Sequence, residues 1–467
     1  MTVEKLLEVL AMTPAETVKE LQTSSYSKLP KWTDLVKQYD PMQHNIWNTT
    51  MYPPRKNDAQ QDDFKRTSFA LQKLAVKRIA QSMFSTPVNR SYEYDKNKTN
   101  EAEAVALLEK LYRTMNYIDS ENIERCKKLN ASCQIATIWR VQETPTIIGT
   151  ETSKFKLSCK TYSEMDGYKL YAINDTFGDL LVLSIGFSDT DNAEHMYTYI
   201  NIPEKAEYRH YVKTGEWVLD MEKPNGSKPL EIFPVVYINI AEPVWGGDAG
   251  TVLVEQLEEM ESYQGLYIKR NALPTFTLDY GEITKGTKST AEESSSDARR
   301  VVVVGKGGSM QDVTWEGAGK SVSERFDRIR NAYFEQIQVP DTSFANMIKS
   351  NTSAENKELI FADAKANAED LGGEWEKLFY NEMMIVKKFA GVMFSKYAKV
   401  FETISVRSII SPYSINTKKE RAEYVAVAGD AMSLETKIKV LDEVDDIQAE
   451  VDLIQGQDSA AANQLMP

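Results

Sequence analysis

Apolar residues recur every three or four positions over a long stretch in the C-terminal third of the chain. Leu359, Ile360, Leu371, Trp375, Leu378, Phe379, Val386, Phe389, Met393, Tyr397, Val400 and Phe401 keep the period of one buried helix face, which predicts a helix over residues 353–402. Thr352 and Glu355 stand at capping-box spacing where it begins. Gly372 and Gly373 interrupt the pattern. Each glycine weakens a helix by roughly 1 kcal/mol relative to alanine, but the period resumes at once, so a kink is expected there rather than a stop. At about 1.5 Å per residue this helix would be about 70 Å long, more than a compact domain buries. It is expected to span domains or to pack against neighbouring subunits.

Upstream, the pattern changes period twice. Short amphipathic segments at residues 3–10 and 14–21 lead into a connector punctuated by Pro30, Pro41, Pro53 and Pro54 and carrying Trp32, Tyr39, Trp47 and Tyr52. So many aromatics predict an arm (residues 1–60) that docks on something, either a partner or its own subunit. Helical spacing follows at residues 66–84, 101–117 and 120–129. From residue 136 to 240 the period falls to two, in short runs rich in β-branched and aromatic residues, which predicts an antiparallel β domain. It closes on Phe233-Pro234-Val235-Val236-Tyr237-Ile238-Asn239-Ile240.

Trp245-Gly246-Gly247-Asp248 then turns the chain into a helix whose acids Glu255, Glu258, Glu259 and Glu261 lie off the Val254 and Leu257 stripe, the usual pattern of a solvated face. A small insert (273–315) follows. It has strand-like Thr275 to Tyr280, a Gly/Ser/Thr/Lys/Glu tract over 281–300, and further strands at 301–304 and 313–315, and it predicts a protruding, hairpin-like module. Ser321 and Glu324 have cap spacing for a second helix that ends at Pro340. If the two helices run antiparallel they form a stalk for the insert. Residues 340–352 are a polar loop. After the long helix come a strand at 403–410, expected to return to the β domain, helices at 418–430, 434–440 and 444–454, and a polar tail.

Composition narrows the classes. The 467 residues are enough for about three structural units, and 42% hydrophobic with 27% charged residues is ordinary for a globular protein. A net charge of −14 argues against a protein that wraps DNA on a basic face, yet suits one that lets a polyanion pass without holding it. Cys126, Cys133 and Cys159 include no C-x-x-C pair, which argues against a disulfide framework or a zinc site. No signal sequence or membrane-length apolar run is present, so a protein made and assembled in the cytosol, without membrane contact, is expected.

Candidate chemistry is sparse. Gly317-Ala318-Gly319-Lys320-Ser321 imitates the end of a P-loop, but the first glycine of that motif falls on Thr314, and alternating βα units are missing. Gly305-Lys306-Gly307-Gly308 reads as a turn. His44, His195 and His210 are scattered without metal spacing, and no carboxylate pair stands out for acid–base work. No catalytic residue, metal or cofactor is expected.

The order of elements resembles the portal, or head-to-tail connector, proteins of tailed bacteriophages over residues 60–455. Matching stretches are Phe233 to Asn239 before the first stalk helix, Gln338-Val339-Pro340-Asp341 before the polar loop with Ser350, Ser411-Pro412, and Met432-Ser433-Leu434-Glu435-Thr436 through Asp445-Asp446-Ile447-Gln448-Ala449-Glu450. The resemblance implies an α+β subunit. Its parts are a helical and β wing (61–245), a two-helix stem (246–272 and 316–339), a β clip (273–315), a tunnel loop (340–352), the long kinked helix, a wing return strand (403–415) and a helical crown with tail (416–467).

It further implies a ring, typically of twelve copies, at one capsid vertex in the virion. Double-stranded DNA would pass through it during packaging and ejection. Expected partners are the major capsid and scaffolding proteins, a terminase and a head–tail adaptor, with assembly in the bacterial cytoplasm. Asn346, Met347, Ile348, Lys349, Ser350 and Asn351 are then the expected DNA-facing loop. Lys285, Lys288, Glu292, Glu293, Arg299 and Arg300 are the expected docking surface of the clip. Another virion structural protein, or less readily a nucleic-acid enzyme, is the alternative.

Overall fold

A computed structural model of the chain describes residues 1–25, 29–54, 64–95, 97–149, 151–190, 192–202, 205–221, 232–271, 275–280, 300–305, 318–339, 354–411, 418–441, 450, 451 and 453–455. The chain divides into two compact units, residues 1–339 with 366–412, and residues 340–365 with 413–467.

The larger unit is layered. Its strands are β1 (Asn89–Glu93), β2 (Gln134–Gln142), β3 (Thr146–Ile148), β4 (Glu151–Ser153), β5 (Lys156–Ser163), β6 (Lys169–Asn174), β7 (Leu180–Ser188), β8 (Glu194–Ile202), β9 (Lys205–Lys213), β10 (Trp217–Met221), β11 (Val235–Asn239), β12 (Thr275–Tyr280), β13 (Arg300–Gly305) and β14 (Ser405–Ile409). The expected β domain is two antiparallel sheets, β10-β9-β8-β7-β6 and β11-β2-β5. Strand alternation explains how they stack. Leu183 and Ile185 of β7 meet Ala136 and Ile138 of β2 and Val235 of β11 between the sheets. Ile135, Trp139 and Val141 point the other way, into a helical layer.

The helical layer is built from Leu71–Phe84, Thr99–Glu109, Ile118–Ser132 and the later part of the long helix. The far face of the five-stranded sheet is covered by the N-terminal helices Val3–Leu10 and Pro14–Thr23, whose Leu6, Val9, Leu10, Val18 and Leu21 pack on Val182, Met196, Ile200 and Tyr211. This part of the arm therefore packs on its own subunit.

Three expectations need correction. The strand after the long helix joins neither larger sheet, because Ser405–Ile409 pairs antiparallel with Asn89–Glu93 in a ribbon of its own. The insert is not a hairpin, since β12 and β13 are parallel, with Thr275 opposite Arg300 and Tyr280 opposite Gly305. Strand patterning carries no direction, so the sequence could not separate the two pairings. The second stem helix begins at Ala318, which puts Ser321 within its first turns rather than at the cap. Glu324 pairs instead with Lys320 at 3.9 Å, an i,i+4 contact.

The long helix runs from Ala354 to Met393, 40 residues or about 60 Å. It is helical through Gly372 and Gly373, where a Cβ would meet nothing within 4 Å in this chain. The helix expected to run to residue 402 ends sooner, at Phe394, whose backbone (φ −131°, ψ 74°) leaves it before a 3-10 turn at Ser395–Tyr397 and a short helix at Ala398–Thr403. At the corner a Cβ on Gly391 would lie 3.5 Å from that of Ala398, an ordinary van der Waals contact.

In the smaller unit, helices Lys418–Ala428 and Leu434–Leu441 are joined by a 3-10 turn. The Ser433 hydroxyl caps the second by accepting the Thr436 N–H at 3.2 Å, which satisfies one of its unpaired first-turn donors.

Candidate functional site

The stem is the part of the expected site that the structure describes most fully. Its first helix, Gly247–Asn271, follows a turn in which Gly246 (φ +71°) and Gly247 (φ +55°) are both left-handed, a conformation that favours glycine. Gly250 is held closer still, because a Cβ there would collide with the Trp245 carbonyl and sit 3.6 Å from the Tyr333 ring. Tyr333 lies near the end of the second stem helix, Ala318–Gln336. The start of one helix thus meets the end of the other, as an antiparallel pair requires, and Trp245, Val254, Tyr333, Phe334 and Ile337 form their common core.

Glu258 does not face solvent; it is fully buried. Its Oε1 lies 2.6 Å from His44 Nδ1 and accepts the Phe69 N–H at 2.7 Å. The other His44 nitrogen, Nε2, lies 2.8 Å from the Gln38 carbonyl, which can only accept, so Nε2 carries a hydrogen. Gln38 donates to Asp248 at 2.7 Å, Asn45 to Glu255 at 2.5 Å, and the Thr67 N–H to Ser262 at 2.9 Å. Residues 38–54 and 64–69 therefore run as a strap along the first stem helix. The polar stripe at 248, 255, 258 and 262 is its seat. Sequence reasoning missed this because a helix face that receives polar partners from 189 to 214 residues away has the same local pattern as a solvated one.

A second buried charge fixes the long helix to the helical layer and to β2. Glu382 and Arg125 are both fully buried and pair through two contacts, Nη2 to Oε1 at 2.8 Å and Nη1 to Oε2 at 3.2 Å. Trp139 Nε1 donates to Oε1 at 2.9 Å and the Tyr112 hydroxyl to Oε2 at 2.7 Å. Arg125 also donates to Thr161 and Asn122. Tyr112 sits in a π turn, Lys110–Thr114, which widens the helix locally. Burial opposes the Arg125 charge, but Glu382, with Cys159 and Tyr112, outweighs it and holds the guanidinium more basic than usual. Burial, aided by Glu382, pushes the Tyr112 hydroxyl well above its ordinary pKa. With the Glu382 and Arg125 partners all directed inward, this cluster is a structural joint.

The thiols are inert by the same logic. Burial pushes Cys126 up and raises Cys133 and Cys159 to about 12, so little reactive thiolate forms near neutral pH. Among the described residues no group of three or more His, Cys, Asp or Glu is placed to hold a metal, and no helix is long and apolar enough to cross a membrane. Burial lowers the pKa of His210, against the pull of Asp220.

Of the residues expected to touch DNA, Asn346, Met347, Ile348, Lys349, Ser350 and Asn351 all lie outside the described residues. So do Lys285, Lys288, Glu292, Glu293 and Arg299 of the expected docking surface, the strand at 313–315, and the cap at Thr352. Arg300 opens β13, where its backbone pairs with Thr275.

Among the curated proteins, none matches this chain. Among solved structures, a chain of the "Neck of empty GTA particle computed with C6 symmetry" is similar at a TM-score of 0.36 and 9% identity, covering 86% of this chain and 94% of that one. A likeness at that level carries no argument about function. The family model described as "Phage portal protein, SPP1 Gp6-like" matches residues 253–464, the span that holds most of the first stem helix, the insert, the second stem helix, the long helix and the C-terminal helices. Over these residues the chain is similar to the phage portal protein family.

Proposed function

We propose that the protein is a structural, non-enzymatic portal subunit that assembles into a ring of twelve at a capsid vertex. Double-stranded DNA passes through the ring's tunnel during packaging and ejection. The observation that carries this reading is the portal family match over residues 253–464. Two features of the chain support it. Val252, Tyr263, Tyr267 and Ile268 on the first stem helix, and Tyr380, Met384 and Val392 on the long helix, are large apolar side chains left exposed by their own chain. Faces of that kind suit burial against neighbours in a closed ring.

The polar loop at 340–352 would line the tunnel. Lys349 is its one cation, enough to touch phosphates in passing and too little to grip them, while Met347 and Ile348 would make loop-to-loop contact. The clip, through Lys285, Lys288, Glu292, Glu293, Arg299 and Arg300, would dock a terminase and later an adaptor, its mixed charges suiting successive partners. Capsid and scaffolding proteins would hold the wing in the virion, after assembly in the host cytoplasm.

The tunnel assignment is tested by Lys349→Glu. Rings and capsids are expected to form normally while the DNA packaged per particle falls. Normal packaging by that variant overturns the loop's role.

A further inference from the structure

The five-stranded sheet carries an unbroken chain of four titratable side chains at its free edge. Asp189 Oδ2 lies 2.9 Å from His195 Nε2, His195 Nδ1 lies 3.1 Å from His210 Nε2, and His210 Nδ1 lies 3.0 Å from Asp220 Oδ2. Each end is positioned by an irregular piece of backbone. Asp189 closes the β7–β8 turn, where its Oδ1 accepts the Ala193 N–H. Asp220 falls at a register shift in β10, between Leu219, opposite Tyr211, and Met221, opposite His210. A bulge of this kind re-aims a side chain. Phe187 stacks on His195 and Tyr197 stands edge-on to His210, so both rings are held.

Proton counting decides what this arrangement is. The three contacts need three ring protons, two donated to the carboxylates and one placed between the rings, whereas two neutral imidazoles carry only two. With two, lone pairs face each other between His195 and His210, and with four, two N–H groups do. We infer that the Asp189–His195–His210–Asp220 chain is a proton-binding clasp that holds edge strand β10 and the β7–β8 turn to the sheet only while the two histidines share one extra proton.

The other groups around it among the described residues do not supply the proton. Glu194 and Lys213 pair with each other across β8 and β9 at 2.8 Å, and the Tyr197 and Tyr208 hydroxyls are pushed more basic by burial, with neighbouring tyrosines and Asp220 adding to it. The sign follows from His210, whose pKa burial depresses. Its contribution is present above the ordinary histidine value of about 6.5 and is lost as pH falls through its lower folded value. The opposite limb follows from geometry, because without the shared proton the His195 Nδ1 and His210 Nε2 lone pairs face each other at 3.1 Å.

Hydrogen–deuterium exchange of the full-length protein between about pH 5 and pH 8.5, corrected for intrinsic rates, tests this. The range stays clear of ordinary carboxylate titration. Protection of residues 205–221 relative to residues 134–142 is expected to peak inside the range and fall on both sides, by up to about tenfold per pH unit for one proton. His195→Gln should remove the alkaline fall, and the double variant His195→Gln with His210→Gln should flatten the profile. A flat profile in the unmodified protein overturns the clasp, as does an unchanged peak in His195→Gln.

Discussion

Glu382 sets the terms at the scale of single residues. It receives Arg125, Trp139 and Tyr112 in a site closed to solvent, so removing it strands a guanidinium with no water to replace the carboxylate. Glu382→Ala is expected to cost about 3–5 kcal/mol, measured as a lowered midpoint of chemical unfolding. Replacing both partners by apolar residues, Arg125→Met with Glu382→Leu, should recover much of that loss, because an apolar pair of similar volume carries no buried charge. A double variant no more stable than the single one contradicts this account of the joint. Neither Glu382 nor Glu258 was legible as a buried group. Each sits on a helix whose sequence offers acids at many positions, and its partner lies from 189 to 270 residues away.

Elements read more clearly than residues wherever one face is apolar. The alternation in β7 and β8 and the long period from Leu371 to Met393 were legible because burial on a defined face requires those spacings. Direction and pairing were not, since β12 and β13 have the same pattern whether parallel or antiparallel. The parallel pairing changes how the clip must be tested. Nineteen residues connect Tyr280 to Arg300, and a parallel crossover needs about a dozen or more. Deleting residues 287–296 would leave fewer than that and disturb the strand pair as well as any docking surface. Removing only residues 291–295 keeps the crossover long enough. That variant is expected to form rings of normal mass and to lose partner docking, read by pull-down of the terminase or adaptor. Loss of the rings themselves would show that the segment belongs to the core. The corner at Phe394 was not legible either, because no residue type announces it.

At the scale of the whole molecule, the sequence order of wing, stem, insert, stem, long helix and terminal helices reads as a portal subunit, and the family match falls on the part from the stem onward. The proposed tunnel loop and most of the proposed clip surface fall on residues 281–299 and 340–353, outside those described. Exposed apolar side chains on the stem and the long helix make assembly the central claim. Electron microscopy of the purified full-length protein, with its mass measured in solution without nucleotide or metal, tests it most directly. The account predicts rings with a central hole and a mass near twelve subunits. A monomer of 52.9 kDa that persists at every concentration would contradict it.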